Sequence, residues 1–347
     1  MVAVPSFVPG LQLNADFYQQ VVGPLIGGWE HAVARIGPGS DVLGLDTARS
    51  TDHGWGPQLT VFVTPGDVDA VTRILGDRLP YSFAGWPIRY GWDEIPVSHH
   101  VEVAVLRDWV TCQLGVDATG GLDAIDWLVI PQQKLLEVTA GAVYHDTTGS
   151  LSQLRAQLAW FPDDVWWWIL ACQWRRVAQE EAFLGRAAEV GDDLGARIIL
   201  ARLARDVMRL WFLLERTYWP YTKWLGASFA RLPGSGPLAT ALAAAVNGAT
   251  HDDREASLLA AYQYVAEAHN RLAPTRAIDP RPRRYHSRPW MVLMADRFSE
   301  ACLSAVSDPH LRHLTLVGSI DQAIDTAEVL ADAGTARTLR QLYERHC

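Results

Sequence analysis

The stretch AVARIGPGSDVLGLDTARSTDHGWGPQLTVFV, Ala32 to Val63, decides how the fold is read. It contains two apolar runs of strand length, Ala32–Ile36 and Leu59–Val63, joined by a segment dense in Gly, Ser and Asp. The first run stops at Gly37-Pro38-Gly39-Ser40, where Gly and Pro impose a turn. Upstream, Phe17, Val21 and Leu25 recur at helical spacing, with Asn14 in a position to cap that helix. Downstream, Pro65-Gly66-Asp67 opens a helix expected to run to Leu79. A third strand is expected over Val101–Leu106, because Val101, Val103 and Val105 alternate with Glu102, Ala104 and Leu106. Three or four strands with helices between them predict a small twisted sheet covered on one face.

After about residue 120 the periodicity becomes helical. Helices are expected over roughly 131–140, 150–159, 163–188, 191–218, 237–247, 253–272, 290–306 and 320–331. Pro162-Asp163-Asp164 is a good helix start, with acids at the positive end of the dipole, and Pro233-Gly234-Ser235-Gly236-Pro237 reads as a linker. No internal repeat is visible, which excludes a solenoid. The expected fold is α+β: a small mixed-sheet domain over 1–120, then a large helical, bundle-like domain over 121–347 that forms the other wall of a cleft.

Composition bounds the function classes. Hydrophobic residues make up 49% and charged residues 20% of the 347, as in a compact globular chain. The fifteen Trp favour thick helix contacts and aromatic pocket walls. At a net charge of −9 no global field attracts nucleic acid. Arg281, Arg283, Arg284 and Arg288 form a local basic cluster, read either as a solvated loop stiffened by prolines or as a phosphate receiver. Cys112, Cys172, Cys302 and Cys347 lie too far apart in sequence for a disulfide framework or zinc spacing. Residues Met1 to Asn14 lack the pattern of a signal peptide, and no apolar run reaches the ~18 residues of a membrane span. A cytoplasmic location is expected.

Three features then fall in order: the Gly39-Ser40 turn, Asp52 twelve residues after Ser40, and Glu102 interrupting an apolar strand. A Gly-Ser turn can present backbone N–H groups to phosphate. Carboxylates on neighbouring strands can hold Mg²⁺, which neutralises phosphates and activates a hydroxyl. On the residues alone, the same features also fit a turn followed by a helix cap.

The runs Gly39-Ser40-Asp41-Val42-Leu43-Gly44-Leu45-Asp46-Thr47 and Ser50-Thr51-Asp52-His53-Gly54-Trp55-Gly56-Pro57 resemble the opening signature of an uncharacterised bacterial nucleotidyltransferase-like family. The likeness continues in Thr139-Ala140-Gly141-Ala142-Val143-Tyr144, Gln179-Glu180-Glu181-Ala182-Phe183-Leu184-Gly185-Arg186, Pro220-Tyr221-Thr222-Lys223-Trp224 and Gly318-Ser319-Ile320-Asp321-Gln322, so that it covers nearly the whole chain. The resemblance implies a nucleotidyltransferase-like sheet domain in which Gly39 and Ser40 cradle phosphate, Asp52 is the first metal ligand and Glu102 the third acid. The second acid of the family's Asp-x-Asp pair falls on Gly54, which has no side-chain oxygen. Asp41 or Asp46 stands close enough in sequence to substitute for it.

In the helical half Glu181 is a candidate general base beside the competing reading of a surface ion pair. Lys223 and Arg288 are candidate phosphate contacts; for Lys223 a snorkelling role among core aromatics fits equally. His269 and Asn270 fit a helix cap or a substrate contact, and Trp166-Trp167-Trp168 fits core packing better than base stacking. The activity implied is Mg²⁺-dependent nucleotidyl, in particular adenylyl, transfer from an NTP such as ATP to a small-molecule acceptor. Two alternatives remain: a catalytically degenerate nucleotide- or metabolite-binding protein, and a cleft repurposed for another biosynthetic or regulatory ligand. Neither nucleic acid nor membrane is expected as a partner.

Overall fold

The computed structural model describes residues 5–272 and 276–343; Cys347 lies outside them. The chain forms two compact units. Unit 1 takes the chain up to Asp126, then Ile130–Ala159 and Ala331–Thr338; unit 2 takes Trp127–Val129, Trp160–Leu330 and the chain from Leu339 onward. As expected, a mixed sheet comes first and a helical region follows.

Unit 1 holds a five-stranded sheet. Its strands are β1 (Ala32–Arg35), β2 (Gln58–Phe62), β3 (Arg89–Trp92), β4 (Ile95–Ala104) and β5 (Ala142–Asp146). Their spatial order is β3-β4-β2-β1-β5. β1 pairs antiparallel with β2 and β5, and β3 with β4, while β2 and β4 run parallel. β5 was not expected: it falls in the gap between the helices expected over 131–140 and 150–159, which form as Gln132–Thr139 and Ser150–Gln157. β4 also starts earlier than its alternating part, because residues 95–99 pair with β3.

One face of the sheet carries the core of the unit. Val33, Leu59, Val61 and Val101 pack there against Phe17, Val22 and Ile26 from the first helical segment and Val71 and Leu75 from helix Val68–Arg78. That first segment is not a plain helix: Gly10–Phe17 passes through a π-helical turn, Tyr18–Val22, into Gly23–Ile26. Asn14 is therefore no cap. It is fully buried inside the helix, donates to the Gly10 and Gly56 carbonyls and accepts from the Gln58 N–H at 2.7 Å. A buried amide satisfied on both sides ties the helix to the start of β2.

Unit 2 is organised around helix Asp163–Glu180, which is buried almost all round from Val165 to Trp174, as a helix apolar on every face must be. Trp166, Trp167 and Trp168 are all core residues. The helix expected over 163–188 breaks at Glu181-Ala182 and resumes as Phe183–Glu189. The expected linker at Pro233–Pro237 shrinks to a left-handed Gly234, and helix Ser235–Asn247 starts directly after it. The segment expected to be helical from 290 begins as strand Met291–Val292 and turns helical at Asp296. No helix among the described residues is long and apolar enough to cross a membrane.

Candidate functional site

Pairing of β2 with β4 sets Gln58 beside His100, Leu59 beside Val101 and Thr60 beside Glu102. Side chains alternate along a strand and paired residues share a face. Leu59, Val61 and Val101 therefore enter the core while Gln58, Thr60, His100 and Glu102 share the opposite face. That polar face floors a cleft of about 290 Å³, whose walls include Gly37 and Pro38 from the turn after β1, and Trp109 and Gln113 from helix Leu106–Leu114.

Glu102 remains in contact with solvent, and its Oε2 accepts from Trp109 Nε1 at 3.1 Å. Partial burial raises its pKa, against the lowering effect of the Trp109 bond. His100 places Nε2 2.8 Å from the Tyr90 carbonyl, so that nitrogen carries the hydrogen. His99, also in the lining, has its pKa lowered first by burial and then by Arg89 and His100. The two histidines and Trp109 are cleft residues that sequence reasoning missed. The signal was the strand register, which places position 100 beside position 58.

The turn expected to cradle phosphate is built around protein charge instead. Arg35 grips Asp41 through two bonds, Nε to Oδ2 at 2.7 Å and Nη2 to Oδ1 at 2.8 Å, and also donates to the Ile36 and Pro38 carbonyls. Both partners are buried. Gly39 has φ +150°, and a Cβ there would lie 2.3 Å from both Arg35 Nη2 and Asp41 Oδ1. Its lack of a side chain is what admits the ion pair. Ser40 Oγ donates to Ser50 Oγ at 3.3 Å.

Asp52 does not share the cleft lining with Glu102. It ends the 3₁₀ turn Ala48–Asp52, ahead of β2, and pairs with His53 at 2.8 Å with 53% of its side chain exposed. Gly54 has φ +61° and faces the Trp92 ring, with 3.6 Å from an added Cβ to the nearest ring atom. Both proposed substitutes are engaged by the protein. Asp41 is committed to Arg35, and Asp46 Oδ2 accepts from Gly10 N–H at 2.7 Å and Trp55 Nε1 at 3.0 Å. Among the described residues no three His, Cys, Asp or Glu side chains converge to hold a metal ion. The donor set does not fit a carboxylate-bridged Mg²⁺ centre.

Glu181, Lys223 and Arg288 lie in unit 2. Glu181 is buried, and its carboxylate accepts from three successive backbone N–H groups, Leu293 at 2.7 Å, Met294 at 3.1 Å and Ala295 at 2.9 Å. Burial pushes its pKa up to about 7, against the pull of those three bonds. That is the geometry of an anchor for the 293–295 segment rather than of a base or a surface ion pair. Lys223 is exposed, with Nζ 4.9 Å from the Trp224 ring centroid. Arg288 faces Glu189 at 3.7 Å and Trp290 at 5.7 Å, while Arg281 and Arg283 both pair with Asp279. His269 is fully buried, accepts from Trp174 Nε1 at 3.2 Å, and is pushed down to about 4 by burial. Asn270 exchanges two bonds with the backbone of Ile278.

Residues 127–225 match the family model of a domain of unknown function (DUF4037). No curated protein matches the chain. Among solved structures, that of a nucleotidyltransferase-like protein from Exiguobacterium sibiricum 255-15 is similar at 14% identity, covering 87% of this chain and 91% of that one, with a TM-score of 0.30. A superposition that loose assigns neither fold nor activity. The chain is thus similar over residues 127–225 to a domain of unknown function, and it resembles that solved protein distantly.

Proposed function

We propose that unit 1 is a binding module whose polar cleft takes a nucleotide or nucleotide-like metabolite without transferring it. The observation that carries this reading is the isolation of Glu102. It is the one carboxylate in the lining, while Asp52 sits on an exposed turn outside it and position 54 offers no oxygen. Nucleotidyl transfer asks for converged carboxylate oxygens that position a cation against the phosphates. A solvent-reachable carboxyl beside two imidazoles and the amides of Gln58 and Gln113 suits another task, hydrogen bonding to the edge of a heterocycle.

The test is thermal stabilisation of the intact chain by ATP and AMP, with Mg²⁺ and with EDTA. The expected result is a rise in Tm that survives EDTA, shrinks in Glu102→Gln and persists in Asp52→Asn. A rise that needs Mg²⁺ and disappears in Asp52→Asn refutes it. That outcome would favour the second reading, Mg²⁺-dependent nucleotidyl, most simply adenylyl, transfer from ATP to a small acceptor. The exposure of Asp52 supports this second reading, because it leaves a carboxylate open to a cation arriving with the nucleotide.

A further inference from the structure

A separate concavity of about 530 Å³ in unit 1 is lined by Tyr18, Trp29, Glu30, His31 and His145, with Gln19 and Thr147 beside them. It lies at the π-helical turn Tyr18–Val22, an irregularity that is rare and concentrates at functional sites. The hydrogen bonds around it fix where each hydrogen sits. His31 Nδ1 is 2.7 Å from the Trp29 carbonyl, which can only accept, so Nδ1 is the protonated nitrogen. Neutral His31 then has its lone pair on Nε2, and Tyr18, 3.1 Å away, donates its hydroxyl hydrogen there. Thr147 Oγ1 gives its one hydrogen to the His31 carbonyl at 2.9 Å. His145 Nε2, 2.9 Å from that same hydroxyl oxygen, must therefore donate, which in neutral His145 leaves the lone pair on Nδ1. The two imidazoles lie 4.5 Å apart between centroids.

With those hydrogens committed to the protein, the side-chain polar atoms left over are mainly acceptors, the Tyr18 oxygen, the Nδ1 of neutral His145 and the carboxylate of the exposed Glu30, against one donor, the Trp29 indole N–H. Gln19 can supply either kind. The rings of Tyr18 and Trp29 add π faces of negative potential. We propose that this concavity binds a small organic cation, a primary ammonium or a guanidinium attached to an apolar or aromatic group. Such a ligand brings several N–H donors to a set of acceptors and a charge to Glu30, whereas an anion meets few donors there. Burial holds the His31 pKa below the ordinary imidazole value in spite of its bond to the Trp29 carbonyl, and a charged His145 lowers it further. The proposal uses none of the Glu102 cleft and stands or falls apart from it.

The experiment titrates the intact chain with benzylamine and, in parallel, with the neutral isostere benzyl alcohol, followed by calorimetry and by the imidazole NMR signals of His31 and His145. Benzylamine is expected to move both sets of signals and to bind about tenfold more tightly than the alcohol, the difference one charge-assisted hydrogen bond makes. Glu30→Gln, a change at an exposed position, should reduce that preference at least severalfold and leave the melting temperature in place. Equal binding of the two probes, unmoved histidine signals, or an undiminished preference in Glu30→Gln would each overturn the proposal.

Discussion

Glu102 in the sheet unit and Glu181 in the helical unit are the same residue type, and surrounding protein raises both of their pKa values. Their hydrogen bonding sets them apart. Glu102 accepts one side-chain bond, from Trp109, and still meets solvent across an open cleft. Glu181 accepts from three consecutive backbone N–H groups and is closed off. A carboxylate serves recognition when acceptor capacity is left over and reachable; when the backbone has taken that capacity, it holds the fold together. A raised pKa alone does not distinguish the two cases.

The strongest way to break this contrast is Glu181→Ala. It would leave three N–H groups unpaired, two of them buried, and should lower stability by about 3–5 kcal/mol, measured by chemical denaturation. A loss within experimental error would remove the anchor role. Asp41→Ala probes the other structural carboxylate by leaving Arg35 buried without its partner, and a cost of about 3 kcal/mol is expected. Gly39→Ala, which forces a Cβ onto the same ion pair, should cost about 1–3 kcal/mol. Were Gly39 instead reserved for a phosphate, this variant would fold with full stability.

The pH dependence sharpens the comparison. Glu181 titrates at about 7 in the folded chain against an ordinary 4.5. A carboxyl raised on folding contributes stability that is fully present below about 4.5 and is lost as pH rises through about 7. Glu181→Gln should flatten that part of the stability profile, and a carboxyl carbon NMR titration with its midpoint near the ordinary value would contradict the assignment. Glu102→Gln should be the mild counterpart, changing stability by less than about 1 kcal/mol while reducing nucleotide-induced stabilisation. The smallest effect is expected for Gly54→Asp. Aspartate tolerates the left-handed backbone, and the Trp92 ring leaves room for a Cβ at ordinary contact distance. Fold and melting temperature should hold, and no transferase activity should appear, because Asp52 and Glu102 do not line a common cleft.

Much of the sheet unit was legible because its signals are local. The alternation of Val101, Glu102 and Val103, the apolar run Leu59–Val63 and the glycine turn after Ile36 located three strands and the face that Glu102 occupies. β5 was hidden because Ala142–Asp146 is short and stands between two helices, where nothing local separates a strand from a helical edge. Asn14 has the residue type of a cap, yet its amide was claimed by Gly56 and Gln58, more than forty residues away. Glu181 looked like part of a charged helical face. Its true partners, Leu293, Met294 and Ala295, lie more than a hundred residues along the chain.

By itself the sequence determined the succession of a small sheet unit and a helical region, the burial of the tryptophan run and the absence of an acid at position 54. Those follow from periodicity, hydrophobicity and side-chain chemistry, which neighbouring residues settle among themselves. Tertiary structure alone decided which carboxylates are spent and which are open. Asp41 went to Arg35, Asp46 to Gly10 and Trp55, Glu181 to a distant backbone segment, and Glu102 was left facing a cleft. The physical reason is that a buried oxygen must find a donor wherever the packed chain brings one, and sequence spacing does not record that distance.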